Sequence, residues 1–144
     1  MEQRLSLITL GVADLARAKS FYENVVGWQP APSPPEIAFF DLGGVIFSLF
    51  PDGELAKDYG GEANRTTYQG FALAHNVRSA DEVEALFARL RAKGADIVKE
   101  PQKAFWGGYS GYFADPDGHK WEIAFNPYWT ILEDGRISLQ APGE

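Results

Sequence analysis

Residues 108–125 read GYSGYFADPDGHKWEIAF, and this stretch decides the fold prediction. Two runs rich in aromatic and aliphatic residues flank the DPDG segment at 115–118, in which proline fixes φ and glycine accepts a positive φ. This pattern predicts a turn between two strands. Side chains alternate between the faces of a strand, so Ser110 and Tyr112 share one face. Glu122, in the partner strand, either has a partner or a function because a buried charge is costly, or it lies on a solvated face.

The composition indicates one acidic globular domain of 144 residues, of which 45% are hydrophobic. A formal net charge of −7 leaves no basic patch for a phosphate backbone, so we expect no nucleic acid partner. The chain has no cysteine, which excludes disulfides and zinc–thiolate sites. It shows neither a signal-peptide pattern nor an apolar run of roughly 18 residues, so we expect no membrane association and a cytoplasmic location.

The first part of the chain reads as a β-α-β-β unit. Residues 5–12 predict a strand, Asp14 is suited to cap a helix, and Gly27 is suited to end it. Further strands are predicted at 36–41 and 45–50 around a glycine turn, with a short extra strand at 28–29.

The second part repeats the same order of elements. Residues 70–77 predict a strand, and Ser79 with Glu82 predicts the capping box of a helix that Gly94 ends. A short strand at 95–98 and the hairpin around the DPDG turn follow. The repeat places Ser48 and Glu122 at equivalent positions, each four residues after a turn glycine.

The repeat predicts an α+β fold in which two βαβββ modules form a curved mixed sheet around a shared cup. We expect a single domain over 1–144: module one at about 4–50, a linker at 51–69, module two at about 70–126 and a C-terminal extension at 127–144. The extension is suited to a closing hairpin, and its aromatic residues either cover a sheet edge or bury themselves in a partner subunit. The residues predicted to line the cup are Leu7, Thr9, Ser48, Phe50, Ala72, Ala74, Asn76, Ser110, Tyr112 and Glu122.

The pattern resembles the vicinal oxygen chelate superfamily, which includes glyoxalase I, bleomycin-resistance proteins, fosfomycin-resistance enzymes and extradiol dioxygenases. The resemblance covers roughly 4–126 and rests on LGVADL at 10–15, FYE at 21–23 leading to Gly27, and above all YFADPDGHKWE at 112–122. It implies the fold predicted above. The superfamily contains both enzymes and binding proteins, so the fold leaves the function open.

The resemblance implies a metal site at four positions, which in this chain are Leu7, Ser48, Ala72 and Glu122, with Phe71 as the alternative third position. Only Glu122 is a strong ligand, because divalent metals of such sites favour imidazole together with carboxylate. We therefore expect no metal and no other cofactor.

The two histidines do not restore the site in this interpretation. His119 is three residues from Glu122, so strand alternation directs the two side chains to opposite faces. His75 is expected on the helix side, unless a one-residue bulge turns it into the cup as a candidate ligand or base.

The sequence leaves two functions open. The first is a metal-free small-molecule-binding protein whose apolar cup holds the ligand, and the alternative is a glyoxalase-like lyase or isomerase that uses Glu122 as acid or base with Tyr112. Tyr112 either orients a ligand or packs with its hydroxyl tied to Glu122.

Other ligand-binding candidates lie around the cup. Trp106 and Tyr109 belong to the FWGGY loop at 105–109, which either stacks on a flat or cationic ligand or packs on a neighbouring strand. The polar candidates are Thr9, Ser48 and Asn76. The expected partners are a small molecule and a second copy of the chain in a homodimer.

Overall fold

The computed structural model describes residues 1, 3, 5–66 and 68–139. The chain divides into two compact units, Met1–Tyr68 and Gln69–Glu144, and the boundary falls within the predicted linker. Both units combine helices with mixed sheets, which confirms the predicted α+β fold class. Among the described residues, no helix is both long enough and apolar enough to cross a bilayer.

The first unit has a three-stranded sheet in the order β1-β3-β2, with β1 parallel and β2 antiparallel to the central strand β3. Its elements are β1 (Leu7–Val12), α1 (Leu15–Phe21), a π-helical turn (Tyr22–Val26), β2 (Ala38–Asp41), β3 (Ile46–Pro51) and α2 (Asp52–Asp58). The Asp14 carboxylate accepts from the backbone N–H of Arg17 at 3.0 Å and so caps α1. Gly27 ends the helical segment at φ 89°, as predicted, and the π-helical turn before it was not predicted.

An aromatic cluster forms the core of the first unit. The Tyr22 ring is fully buried and lies 4.8 Å from the Phe47 ring and 5.7 Å from the Trp28 ring. Phe40 completes the cluster from β2. Because Phe47 faces this cluster, strand alternation places Ser48 on the opposite face of β3.

The prediction of an extra strand at 28–29 is wrong. The backbone N–H of Trp28 donates to the Tyr22 carbonyl at 2.9 Å, which commits this segment to closing the helix. An isolated bridge between Ala31 and Phe39 takes the place of the strand.

The second unit has a four-stranded sheet in the order β4-β7-β6-β5, followed by a short hairpin. Its elements are β4 (Leu73–Val77), α3 (Ala80–Ala92), β5 (Asp96–Lys103), β6 (Tyr109–Ala114), β7 (Lys120–Phe125), β8 (Thr130–Ile131) and β9 (Ile137–Ser138). The antiparallel pairing of β8 with β9 confirms the closing hairpin of the extension. The strand predicted at 95–98 extends to Lys103. Its pairing with β6 shifts register twice, and its sequence, which contains charged residues and Pro101, shows no alternation that would predict a strand of this length.

Helix α3 begins at the predicted capping box in a modified form. The Ser79 hydroxyl accepts from the N–H of Glu82 at 3.1 Å, while the Glu82 carboxylate accepts from the N–H of Arg78 rather than that of Ser79. Val83 and Phe87, on the buried face of this helix, are fully buried.

The DPDG segment forms the predicted turn between β6 and β7. Asp115 Oδ1 accepts from the N–H groups of Asp117 and His119, each at 2.9 Å, and Gly118 has φ 82°. The repeat is visible in the pairing register, because Thr9 pairs with Ser48 in the first unit as Ala74 pairs with Glu122 in the second.

Candidate functional site

Tyr112 and Glu122 lie directly opposite each other on β6 and β7. A Cβ atom added to the neighbouring Gly111 would be 2.7 Å from Phe87 Cζ of α3, so Gly111 faces the helix. Tyr112 and Glu122 therefore lie on the face of the sheet opposite α3. We call this surface, with Asn76 and Ala74 of β4, the Tyr112–Glu122 face.

The Tyr112–Glu122 face keeps its polar groups accessible. Both side chains of the pair are half-buried, as is Asn76, and their neighbours Ala74 and Ala124 are small. The pKa of Tyr112 is raised by burial first, then by the negative charge of Glu122 and by the hydrogen bond that the hydroxyl donates to that carboxylate. At neutral pH the hydroxyl thus keeps its proton and donates it in a hydrogen bond to Glu122.

We expect Glu122→Gln to lower the pKa of Tyr112 toward its ordinary value, because the negative charge is removed and the hydroxyl then donates to a neutral amide oxygen, a weaker acceptor. Spectrophotometric titration of the tyrosines, with Tyr112→Phe to assign the signal, measures this change. In the wild-type protein the raised pKa stabilises the fold below pH about 10 and this stabilisation is lost as pH rises through the folded-state pKa.

Glu84→Gln is the matched control for that titration. Glu84 of α3 accepts a hydrogen bond from Tyr109 and raises the pKa of Tyr109, so this substitution should move the other tyrosine only. A Tyr112 titration that does not move in Glu122→Gln would show that the pair does not interact.

The polar candidates of the first unit form a second pair. Thr9 Oγ1 lies 2.6 Å from Ser48 Oγ across β1 and β3, on the sheet face opposite Phe47. Ser48 is fully buried and its hydroxyl also donates to the Ile8 carbonyl at 3.4 Å. Thr9 is the more accessible member of the pair.

Tyr109 does not join the Tyr112–Glu122 face, and Trp106 packs against its own turn. Tyr109 shares the α3 side of the sheet with Gly111 and donates its hydroxyl proton to Glu84. Trp106 lies in a tight turn closed by the N–H of Ala104 donating to the Gly108 carbonyl at 2.8 Å, and its ring covers Gly108. The two residues therefore pack on their own unit, which is one of the two alternatives that the sequence left open for this loop.

The four positions at which the resemblance implies a metal do not carry a fitting donor set. The side chains of Leu7 and Ala72 contain no donor atom, and the alternative Phe71 has none either. The Ser48 hydroxyl is bonded to Thr9, and Glu122 alone offers a carboxylate. Within the described ranges, no group of three or more His, Cys, Asp or Glu side chains is arranged so that it could hold a metal ion.

His75 lies on the α3 side of the second-unit sheet, as predicted, because it pairs with Ile123. Surrounding protein atoms lower the pKa of His75 by disfavouring the charged ring, and the Glu82 carboxylate opposes this shift, although part of the residue reaches solvent.

His119 is buried beside the DPDG turn. Its Nδ1 is hydrogen-bonded to Gln69 Oε1 at 2.9 Å, and its ring lies 6.2 Å from that of Phe71. The role of Gln69 was not predicted, because no periodicity or motif in its loop marks it as a histidine partner.

Comparison with known proteins identifies the family. A family model described as the glyoxalase/bleomycin resistance protein/dioxygenase superfamily matches residues 4–123. A solved structure described as a glyoxalase-related enzyme from Fulvimarina pelagi is 40% identical and has a TM-score of 0.86, and the match covers 97% of this chain and all of that one. Metallothiol transferase FosB of Lysinibacillus sphaericus is 28% identical over 84% of this chain and 81% of its own length. Glutathione transferase FosA of Serratia marcescens is 29% identical over 85% and 81%, respectively. The chain belongs to the glyoxalase/bleomycin resistance protein/dioxygenase superfamily.

Proposed function

We propose that the protein binds a small molecule at the Tyr112–Glu122 face without the help of a metal. The observation that carries this proposal is the half-buried pair itself: a carboxylate and a phenol held together on the sheet face opposite the helix. A half-buried carboxylate loses part of its hydration, and the neutral Tyr112 hydroxyl replaces that loss only in part. A ligand that donates hydrogen bonds or carries a positive charge offsets this cost by pairing with Glu122.

The surroundings of the pair favour a ligand with an apolar body. Ala74 and Ala124 flank the polar atoms, and their small side chains add little bulk to this face of the sheet. Asn76 adds one amide group. Small-molecule sites commonly combine such an apolar lining with a few polar groups that fix orientation. The acidic chain, with net charge −7, disfavours nucleic acid and anionic membranes as partners, and we place the binding function in the cytoplasm.

A second candidate function is a glyoxalase-like lyase or isomerase. It is favoured by the 40% identity to a protein described as a glyoxalase-related enzyme. In this version the Glu122 carboxylate takes a proton from a carbon next to a carbonyl group and returns it to the neighbouring position. Tyr112 keeps its proton at neutral pH, and when substrate binds its hydroxyl turns from Glu122 and donates that hydrogen bond to the substrate oxygen.

The test combines metal analysis with ligand binding. We expect the purified protein to contain no stoichiometric divalent metal, and unfolding temperature to rise with one of three probes: bleomycin, the hemithioacetal of glutathione and methylglyoxal, or fosfomycin. A probe at 100 times its dissociation constant adds roughly 2.7 kcal/mol to the free energy of unfolding.

The variants separate the two functions. Under the binding proposal, Glu122→Gln weakens binding of bleomycin about tenfold to 100-fold, as expected when a charge-assisted bond is lost. Under the enzyme alternative, the same variant keeps the hemithioacetal bound and loses its turnover. Glu84→Gln on α3 is the control and should change neither. Stoichiometric zinc, nickel, manganese or iron in the wild-type protein contradicts the metal-free proposal.

A further inference from the structure

A cavity of about 260 Å³ lies beside α3 in the second unit, on the opposite side of the sheet from the proposed ligand site. It is lined by Val77 at the end of β4 and by Glu82, Ala85, Leu86 and Arg89 of α3. Spacings of three and four residues place these helix positions on one stripe of α3. We call this space the α3 cavity. It has an apolar floor, an acidic group at one end and a basic group at the other.

The size of the α3 cavity is suited to a small organic molecule. A cavity of about 150 Å³ is enough to hold benzene, and drug-sized ligand pockets begin near about 300 Å³. Seven residues separate Glu82 from Arg89, which is about 10 Å along the helix axis. A ligand with one ring or a short chain therefore fits between the two charged ends.

The two charged ends differ in what they already bind. The Glu82 carboxylate accepts a hydrogen bond from the backbone N–H of Arg78 at 2.9 Å, and its negative charge opposes the lowering of the His75 pKa. In the part of the chain that the structure describes, no carboxylate forms an ion pair with the guanidinium of Arg89. The basic end is therefore the one that is available to a ligand.

We infer that the α3 cavity is a second ligand site, which takes a small carboxylate with an apolar body. The planar guanidinium of Arg89 matches a carboxylate with two parallel hydrogen bonds. The apolar body then covers Ala85, Leu86 and Val77, where leaving water is favourable. A phosphate dianion fits less well, because one arginine faces two negative charges and Glu82 adds repulsion. This inference does not depend on the ligand or reaction proposed for the other side of the sheet.

Four probes test which chemistry the α3 cavity takes. Phenylpropanoate, phenylpropylamine and phenylpropanol share one apolar body and differ in the head group, and inorganic phosphate carries the charge alone. Amide NMR shifts of Ala85 and Leu86 in the ¹⁵N-labelled full-length chain report binding at the cavity. We expect phenylpropanoate to bind at least about tenfold more tightly than phenylpropanol, because only the carboxylate forms a charge-assisted pair.

Two arginine variants show whether the carboxylate is recognised by Arg89. Arg89→Gln keeps much of the side-chain length and removes the charge, so it should weaken phenylpropanoate binding about tenfold or more. Arg91→Gln is the matched control, since Arg91 also lies in the last turn of α3 but pairs with Glu100 outside the cavity. It should leave the dissociation constant unchanged. Circular dichroism checks that both variants keep their helix content.

Several outcomes would overturn the inference. Tighter binding of phenylpropylamine would make Glu82 the recognising group, and phosphate bound as tightly as phenylpropanoate would leave the apolar floor without a role. Equal affinity in Arg89→Gln and wild type would exclude the guanidinium as the partner. The same holds for phenylpropanoate shifts confined to the amides of Tyr112 and Glu122, or for no saturation at about 10 mM, where a ligand of this size should bind.

Discussion

Phe47→Ala is expected to lower the free energy of unfolding of the protein by about 4 kcal/mol, in the middle of the range for large-to-small changes at buried aromatic positions. The Phe47 ring is 1% exposed and packs 4.8 Å from Tyr22 and 5.4 Å from Trp28. Its removal leaves a cavity among rings that strands and helix hold in place, so the core cannot collapse to fill it. Urea unfolding followed by tryptophan fluorescence measures the loss.

Two controls show whether the loss comes from packing at this position. Phe47→Leu keeps most of the apolar volume and should cost less than half as much, at about 1.5 kcal/mol. Phe105→Ala removes an equally large ring from a fully exposed position and should stay within about 0.5 kcal/mol of wild type. Equal losses for Phe47→Ala and Phe105→Ala would contradict the buried cluster.

The aromatic cluster also positions the polar pair of the first unit. Phe47 faces the helix, so Ser48 must face the other way, where it meets Thr9 at 2.6 Å. A slip of β3 by one residue would exchange the two side chains and bury a hydroxyl in the aromatic core. The packing of the first unit's core and the placement of Ser48 beside Thr9 are thus fixed by the same alternation.

The parts of the fold that follow from local rules could be predicted from the sequence. The Asp14 cap, the Gly27 stop, the DPDG turn and the pairing of Tyr112 with Glu122 follow from side-chain chemistry, backbone freedom and strand alternation. The resemblance to the superfamily rests on the LGVADL, FYE and YFADPDGHKWE segments, and the family match over 4–123 confirms it.

The sequence could not predict residues whose position is set by distant contacts. The composition of the FWGGY loop left open whether Tyr109 meets a ligand or packs on the protein, and its strand register and the Glu84 carboxylate of α3 direct it to the helix side. The Trp106 ring packs directly against Gly108, which is possible because glycine has no side chain there. The extra strand at 28–29 failed because Trp28 packs in the core and its N–H closes the helix. None of these contacts leaves a periodic signal in the sequence.

Gly111→Ala is expected to lower the free energy of unfolding by about 3 kcal/mol, near the upper end of the range for overpacked positions. The added Cβ would lie 2.7 Å from Phe87 Cζ, 2.8 Å from the Lys99 carbonyl oxygen and 2.9 Å from Pro101 N. Two of these atoms belong to the backbone of β5, which cannot swing aside as a side-chain end can. β5 passes β6 here with a shifted register, so the close approach is part of how these strands pair.

Gly53→Ala is the matched control for Gly111→Ala. Gly53 lies in α2, and nothing comes within 4 Å of a Cβ added there. Alanine favours the helical conformation more than glycine does, so this variant should be more stable by about 0.5–1 kcal/mol in the same urea experiment.

Tyrosine titration gives a second measurement. A displaced β6 moves Tyr112 relative to Glu122, so the pKa of Tyr112 should fall in Gly111→Ala and stay unchanged in Gly53→Ala. If Gly111→Ala were as stable as wild type with an unchanged Tyr112 titration, the close packing of β5, β6 and α3 that directs the pair away from the helix would be contradicted.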